Sequence, residues 1–340
     1  MSSTHDELAA TIDAMVQPGK GLLAADESTS TIARRFEAIG LASTEDSRRA
    51  YRQLLLGTRG LGEFISGVIL YEETLGQKAD DGTPLPQLAA EQGIVPGIKV
   101  DSGKIPLALA PGDEITQGLD GLAERLVGYK RQGARFAKWR AVFNIGPRLP
   151  SAAAIDANAH ALARYAAICQ AQGIVPIVEP EVLMDGDHSQ ARCAEVSEAV
   201  LVGVFEALRR QAVVLEHMVL KPGMVLPGES SGVKALPAVV GAQTLSVLKR
   251  TVPAAVPGIL FLSGGQSPEE ASANLDAMHR SGPLPWHLGF SYGRALQDPV
   301  LKAWKGQPAN IAAAQTALLK RSRLNSAATL GRYAATLETS

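Results

Sequence analysis

Cysteine is scarce in this chain: two thiols, Cys169 and Cys193, in 340 residues. Both fall in helix-like segments, so no disulfide framework is expected and a reducing compartment is the default. Net charge is scarce too. The 33 basic and 34 acidic side chains nearly cancel, which gives no reason to expect nucleic acid or a membrane surface as the main partner. A locally basic pocket for an anionic small molecule remains compatible with that balance. Long apolar runs are missing, and the longest fall far short of a membrane span. The histidines (His5, His160, His188, His217, His279 and His287) are scattered without ligand spacing, so no metal is expected. The N-terminus, MSSTHDELAATIDAMV, has neither the apolar core of a secretion signal nor the arginines of a transit peptide. Cytoplasmic residence is the expectation, although a mature organellar form would read the same way.

Apolar segments of strand length are present instead, separated by helical stretches. They fall near Gly21–Asp26, Phe64–Tyr71, Gly97–Asp101, Phe136–Phe143, Ile174–Glu181, Met218–Val225, Ile259–Ser263 and Trp286–Tyr292. Their continuous apolar character suits parallel strands linked by crossover helices. In the stretch after Cys193, Val196, Val200, Val204 and Leu208 recur every four residues, the stripe of a connecting helix. Such units predict an α/β fold, a (β/α)8 barrel. An open doubly wound sheet is the alternative, but no dinucleotide-type glycine turn follows the first strand. One barrel domain over 1–340 is expected, with a short helical N-terminal extension and a mobile tail over about 327–340.

The most informative segment is VLKPGMV, Val219 to Val225, which sets a lysine inside an apolar strand. Burying an ammonium is costly. A desolvated lysine near other cations readily loses its proton and attacks carbonyls to form a Schiff base. Taken alone, the segment fits a snorkelling lysine at least as well. The other strand ends change that balance. Asp26 closes the first strand, and Lys99 and Asp101 close the third. Lys138 and Arg140 lie in the fourth, Glu179 and Glu181 in the fifth, Lys221 ends the sixth and Ser263 the seventh. Residues two apart share a direction, so Lys138 goes with Arg140 and Glu179 with Glu181. Barrel active sites lie at these carboxyl ends. Structural ion pairs capping the barrel mouth are the bland alternative.

Two segments suit phosphate. FLSGGQS (Ser263, Gly264, Gly265) and FSYGRALQ (Ser291, Gly293, Arg294) follow the seventh and eighth strands, the usual phosphate site of this architecture. In DESTSTIARR, Ser28, Thr29, Ser30 and Thr31 could bind an anion at a helix N-terminus, and at least one is expected to cap that helix. Cleaving a carbon–carbon bond beside a carbonyl needs an amine nucleophile, a base for the departing hydroxyl and a proton shuttle. Lys221, Asp26 and Glu179 meet those needs.

GKGLLAADEST, GIKVDSGKIPL, QGLDGLAERL, FAKWRAVF, GIVPIVEPEVL, VLKPGMV, FLSGGQS and FSYGRALQ, in this order, closely resemble the class I fructose-1,6-bisphosphate aldolase family, from about Gly19 to about Lys320. The resemblance implies a metal-independent, cofactor-free barrel enzyme for a sugar phosphate, usually a homotetramer. It implies that Lys221 forms the Schiff base, that Glu179, supported by Glu181, dehydrates the carbinolamine, and that Asp26 takes the C4 hydroxyl proton. Lys138 would sit beside Lys221, helping to keep its amine neutral. Ser263, Gly264, Gly265, Ser291, Gly293 and Arg294 would serve the C1 phosphate, and Ser28, Thr31, Arg35 and Lys99 the one on C6, with Arg140 also binding substrate. A Schiff-base aldolase for fructose 1-phosphate or sedoheptulose 1,7-bisphosphate is the runner-up, and a non-catalytic scaffold a more distant one. The chain departs from the family in three places. It ends Glu338-Thr339-Ser340 where animal members end in a proton-donating tyrosine, so either slow enamine protonation or a substitute such as Tyr333 is expected. Gly223 stands where many relatives have asparagine, and Thr31 where serine is familiar.

Overall fold

Eight parallel strands close on themselves around an interior that is apolar at one end and charged at the other. The computed structural model describes residues 3–339. Its strands are β1 (Gly21–Ala25), β2 (Ile65–Leu70), β3 (Val95–Lys99), β4 (Lys104–Pro106), β5 (Glu114–Thr116), β6 (Phe136–Phe143), β7 (Val175–Val182), β8 (Val219–Leu220), β9 (Gly258–Phe261) and β10 (His287–Tyr292). The barrel runs β1-β10-β9-β8-β7-β6-β3-β2, while β4 and β5 form a separate antiparallel hairpin that the sequence did not suggest. Their three-residue length carries too little periodicity to be read as strand.

Alternation along the strands sorts side chains into two cores. Leu23, Ala25, Ala137, Trp139, Val178 and Leu220 face outward into the shell of helices. Trp139 there packs on Tyr165 of the helix Ala152–Ala171, ring centroids 5.5 Å apart. Their neighbours Leu22, Ala24, Phe136, Val175, Ile177 and Val219 face inward. From the N-terminal end the helix Thr4–Met15 inserts Leu8, Ile12 and Met15 against them, so the barrel is plugged as well as filled. Glycine makes room for the large inner rings: a Cβ on Gly97 would lie 2.2 Å from the ring of Phe136. The stripe read after Cys193 is buried along the helix Gln190–Arg210.

The expected sixth strand is shortened. Only Val219 and Leu220 pair in full, because Pro222 lacks the N–H that a ladder requires. Lys221 keeps one further bond, its N–H donating to Val178 O at 2.8 Å. The segment expected to be mobile is anchored at several points. Residues 327 and 328 finish the helix Ile311–Ala328, Tyr333 is buried, and Glu338 accepts from Arg321 at 2.5 Å. Among the described residues, no helix is long and apolar enough to cross a membrane.

Candidate active site

The inward rows of β1, β6, β7 and the β8 segment change character toward the carboxyl end. Leu22 and Ala24 lead to Asp26, Phe136 to Lys138 and Arg140, Val175 and Ile177 to Glu179 and Glu181, and Val219 to Lys221. The apolar layers beneath hold the charged layer away from bulk water. Lys221, Lys138 and Glu179 are each only 3–4% exposed.

These groups meet one another. Lys221 Nζ is 3.0 Å from Glu179 Oε1, and Lys138 Nζ is 3.3 Å from Glu179 Oε2 and 2.7 Å from Asp26 Oδ2. The contact of Lys138 with Glu179 is ionic only, since Oε2 accepts no hydrogen bond of good angle. Asp101 Oδ2 stands 4.0 Å from Lys138 while its Oδ1 lies 2.8 Å from Lys99 Nζ. In the parallel register Lys138 lies opposite Ile177 and Arg140 opposite Glu179. Each long base therefore reaches one inward step further up β7, Lys138 to Glu179 and Arg140 to Glu181.

Electrostatics follow from that packing. Burial alone would push the Asp26 carboxyl up, but the charges of Lys138 and Lys221 outweigh it and hold the group well below the usual carboxylate range. Burial would likewise pull the Lys138 ammonium down, and Asp26, Glu179 and Asp101 together raise it instead. The Arg140 guanidinium is raised in the same way, burial being overcome by Glu181. Asp26 and Lys138 form an ionised pair at the barrel mouth.

The anion-binding candidates form two groups. Ser28, Thr31, Lys99 and Arg140 line one cavity of about 540 Å3. Ser28 stands at the N-cap of the helix Thr29–Glu37 but makes no capping bond, contrary to the expectation that one of these hydroxyls caps it. Its Oγ turns sideways, donating to Thr31 Oγ1 at 3.1 Å and pairing with Ser30 Oγ at 3.2 Å. The first N–H groups of the helix are left open to an anion. The second group surrounds the ends of β9 and β10. Arg294 donates to Gly264 O, Ser291 Oγ is buried with no hydrogen-bond partner among the described residues, and Gly264 takes a left-handed φ of +54°. Gly265 donates its N–H to Met184 Sδ at 3.3 Å, a weak acceptor that an anion oxygen would readily replace. Arg35, expected with Ser28 and Lys99, is absent from the cavity they line and approaches Gly293 instead.

Sequence reasoning missed a buried network behind Asp26, made of Glu27, Arg52, Gln297 and Tyr51. Its signal was an arginine embedded in the apolar stripe of YRQLLL, where Arg52 is 2% exposed. Tyr333 does not join the site. Its bonded partners, Asp276, Arg280 and Glu338, belong to the outer helices and the tail. Gly223 leaves space for a side chain, the nearest atom to an added Cβ being 3.7 Å away. Among the described residues, no group of three or more His, Cys, Asp or Glu side chains could hold a metal ion.

A buried lysine against a carboxylate, at the carboxyl end of a closed parallel barrel, is the equipment of an enzyme that works through an amine. The comparisons name the family. The family model described as "Glycolytic: Fructose-bisphosphate aldolase class-I" matches residues 7–340, and the chain belongs to that family. It is 54% identical over 335 residues to a Dictyostelium discoideum fructose-bisphosphate aldolase, covering 98% of this chain and 94% of that one. It is 54% identical over 329 residues to the cytoplasmic isozyme of Spinacia oleracea, covering 96% and 92%. A solved Plasmodium falciparum fructose-bisphosphate aldolase, in complex with TRAP and a small-molecule inhibitor, superposes with a TM-score of 0.96 at 51% identity, covering 98% of this chain and 97% of that one.

Proposed function

We propose that this chain catalyses the reversible aldol cleavage of fructose 1,6-bisphosphate to dihydroxyacetone phosphate and glyceraldehyde 3-phosphate through a Schiff base on Lys221, in glycolysis and gluconeogenesis. One observation carries the reading: in a chain of this family, a nearly buried lysine amine has a carboxylate oxygen 3.0 Å away.

The Lys221 amine adds to the C2 carbonyl, and loss of water leaves an iminium. Glu179, within reach of that nitrogen, carries the protons this dehydration moves. Glu181, paired with Arg140, supports it from the next inward position. Asp26, ionised through its contact with Lys138, takes the C4 hydroxyl proton. The C3–C4 electron pair then passes into the iminium, giving an enamine, and the aldehyde departs. Protonation at C3 and hydrolysis release dihydroxyacetone phosphate and return the free amine. The iminium is the electron sink, so no metal or other cofactor is called for. Lys138 keeps a positive charge beside the reacting centre.

Ser263, Gly264, Gly265, Ser291, Gly293 and Arg294 would hold the C1 phosphate. Ser28, Thr31, Lys99 and Arg140 would hold the one on C6. Homotetramer assembly is proposed from the family resemblance, and sedimentation analysis tests it. Cytoplasmic residence is proposed too, supported by the similarity to the cytoplasmic isozyme of Spinacia oleracea.

The test is chemical. Borohydride added with dihydroxyacetone phosphate should attach the triose to Lys221 and abolish activity, and Lys221→Ala should lose both label and turnover. A chelator should leave the wild-type rate unchanged. A label on any other lysine refutes the assignment.

A further inference from the structure

Glu229 is an exposed acid that the proposed chemistry does not use, and it stands against the glycine turn that follows β9. A Cβ added to Gly265 would collide with Glu229 Oε1 and come within 3.1 Å of its Cδ. The carboxylate therefore fills the space that this glycine leaves by having no side chain. Among the described residues, that carboxylate takes part in no ion pair or hydrogen bond. Met184 covers the same turn. Its Sδ accepts the Gly265 N–H at 3.3 Å and lies 3.2 Å from where a Cβ on Gly264 would stand.

The backbone fixes both side chains there. Met184 belongs to the connection after β7 and Glu229 to the one after β8, and the two connections are joined by main-chain bonds. Glu229 donates its N–H to Met184 O, Ser230 to Gly186 O and Gly228 to His188 O, each at 2.8 Å. Gly228 permits that approach, since a Cβ there would come 2.7 Å from the Gly186 carbonyl carbon and 2.9 Å from His188 N. Those are backbone atoms and cannot turn aside. The main chain of Glu229 is thus held in place, and its carboxylate stays within reach of Gly265.

Gly265 is one of the groups read above as holding the phosphate on C1. A phosphate oxygen arriving at its N–H displaces only a weak acceptor, the Met184 sulfur. It also meets Glu229, whose charge has the sign of its own and is cancelled by no paired cation. We propose that Glu229 is a specificity-determining residue that opposes the C1 phosphate: its carboxylate, held over Gly265 by the joined connections, weakens binding of ketoses phosphorylated on C1. The inference rests on the aldolase reading above.

Dihydroxyacetone phosphate has no C6 group and reports the C1 end alone. Borohydride trapping at Lys221 gives the concentration at which labelling is half-maximal. Glu229→Gln keeps the shape and removes the charge, and should lower that concentration about fivefold at low ionic strength, the scale of one partly screened charge against a phosphate. Glu229→Lys should lower it further. Raising salt to about 1 M, where the Debye length falls to about 3 Å, should bring wild type and Glu229→Gln together. Dihydroxyacetone, which lacks the phosphate, should be trapped equally by wild type and Glu229→Gln at either salt. Four results overturn the inference: no change in Glu229→Gln, a gain confined to Glu229→Ala, a gain shared by dihydroxyacetone, or a gap indifferent to salt. Wild-type protein that fails to trap dihydroxyacetone phosphate at Lys221 refutes the aldolase reading and this inference together. Trapping that succeeds beside the wrong pattern refutes this inference alone.

Discussion

Glu179 and Lys221 face each other from adjacent strand positions, with carboxylate oxygen and amine nitrogen 3.0 Å apart. The second oxygen of the same carboxylate lies 3.3 Å from Lys138, so one acid spans two lysines. A proton can pass between Glu179 and whatever is bonded to Lys221 without either group moving far. Glu179→Gln keeps the shape and removes the titratable group. It should lower kcat by about 10²- to 10⁴-fold, the usual worth of a general acid–base, with a much smaller change in KM. Steady-state kinetics gives the first number. Rapid-quench borohydride trapping should show slowed formation of the Lys221 adduct, and an undiminished trapping rate would remove Glu179 from the dehydration step.

Asp26 and Lys138 make a second pair with a different consequence. Because Lys138 and Lys221 hold the Asp26 carboxyl well below the usual range, it stays ionised through the working pH range and contributes no acid limb there. In Lys138→Met the largest opposing charge is gone, and burial pushes the carboxyl up. A base with a raised pKa is protonated sooner as pH falls, so the acid limb of kcat/KM should move to higher pH. Asp26→Asn should abolish cleavage yet still trap dihydroxyacetone phosphate, which needs no C4 deprotonation. Profiles between pH 4 and 8 that coincide for wild type and Lys138→Met would contradict the coupling.

Much of this site was legible in the sequence because strand alternation is rigid. Once Phe136 to Phe143 is read as a strand, Lys138 and Arg140 must share a face, and the same holds for Glu179 and Glu181. The residues that close a strand were legible for the same reason. Partners chosen by packing between distant helices were not. Nothing local says that Arg35 leans toward Gly293, or that Glu27 meets Gln297 across 270 positions of chain. The uncapped Ser28 was misread because a hydroxyl at an N-cap ordinarily turns back on its own helix, and here neighbouring hydroxyls compete for it.

The Glu27–Arg52 pair is a stability element with a pH signature. Its two side chains are 5% and 3% exposed. Removing one partner of a buried pair costs about 3 kcal/mol, so Arg52→Met should lower the unfolding free energy by roughly that much at pH 7. The Glu27 carboxyl is held below its ordinary value of 4.5, so its contribution is fully present above that pH and is lost as pH falls through the folded-state value. The gap between wild type and Arg52→Met should therefore narrow below pH 4.5. Urea unfolding at the two pH values measures it, and a gap indifferent to pH would mean the loss is packing and not charge.

Tyr333 was one expected alternative to slow enamine protonation, as a stand-in for a terminal tyrosine, and its surroundings argue against that task. Its hydroxyl donates to Glu338 Oε1 at 2.9 Å, and the same oxygen accepts from Arg321 at 2.5 Å. Burial and the adjacent Glu338 carboxylate push the phenol well above its ordinary value, which makes it a reluctant proton donor where it stands. Tyr333→Phe should therefore leave hydrogen exchange at C3 of dihydroxyacetone phosphate unchanged, while costing about 1 kcal/mol of stability for the lost hydrogen bond. Deuterium incorporation followed by NMR gives the exchange rate, and denaturant unfolding gives the stability. A slowed exchange would mean that the Arg321–Glu338 clasp opens during turnover and lets the tail reach Lys221. Arg321→Met should then speed exchange in the wild-type background, because weakening the clasp frees the tail. If Tyr333 stays in its packed position, both substitutions act on stability alone, and the C3 proton comes from a group already at the strand ends.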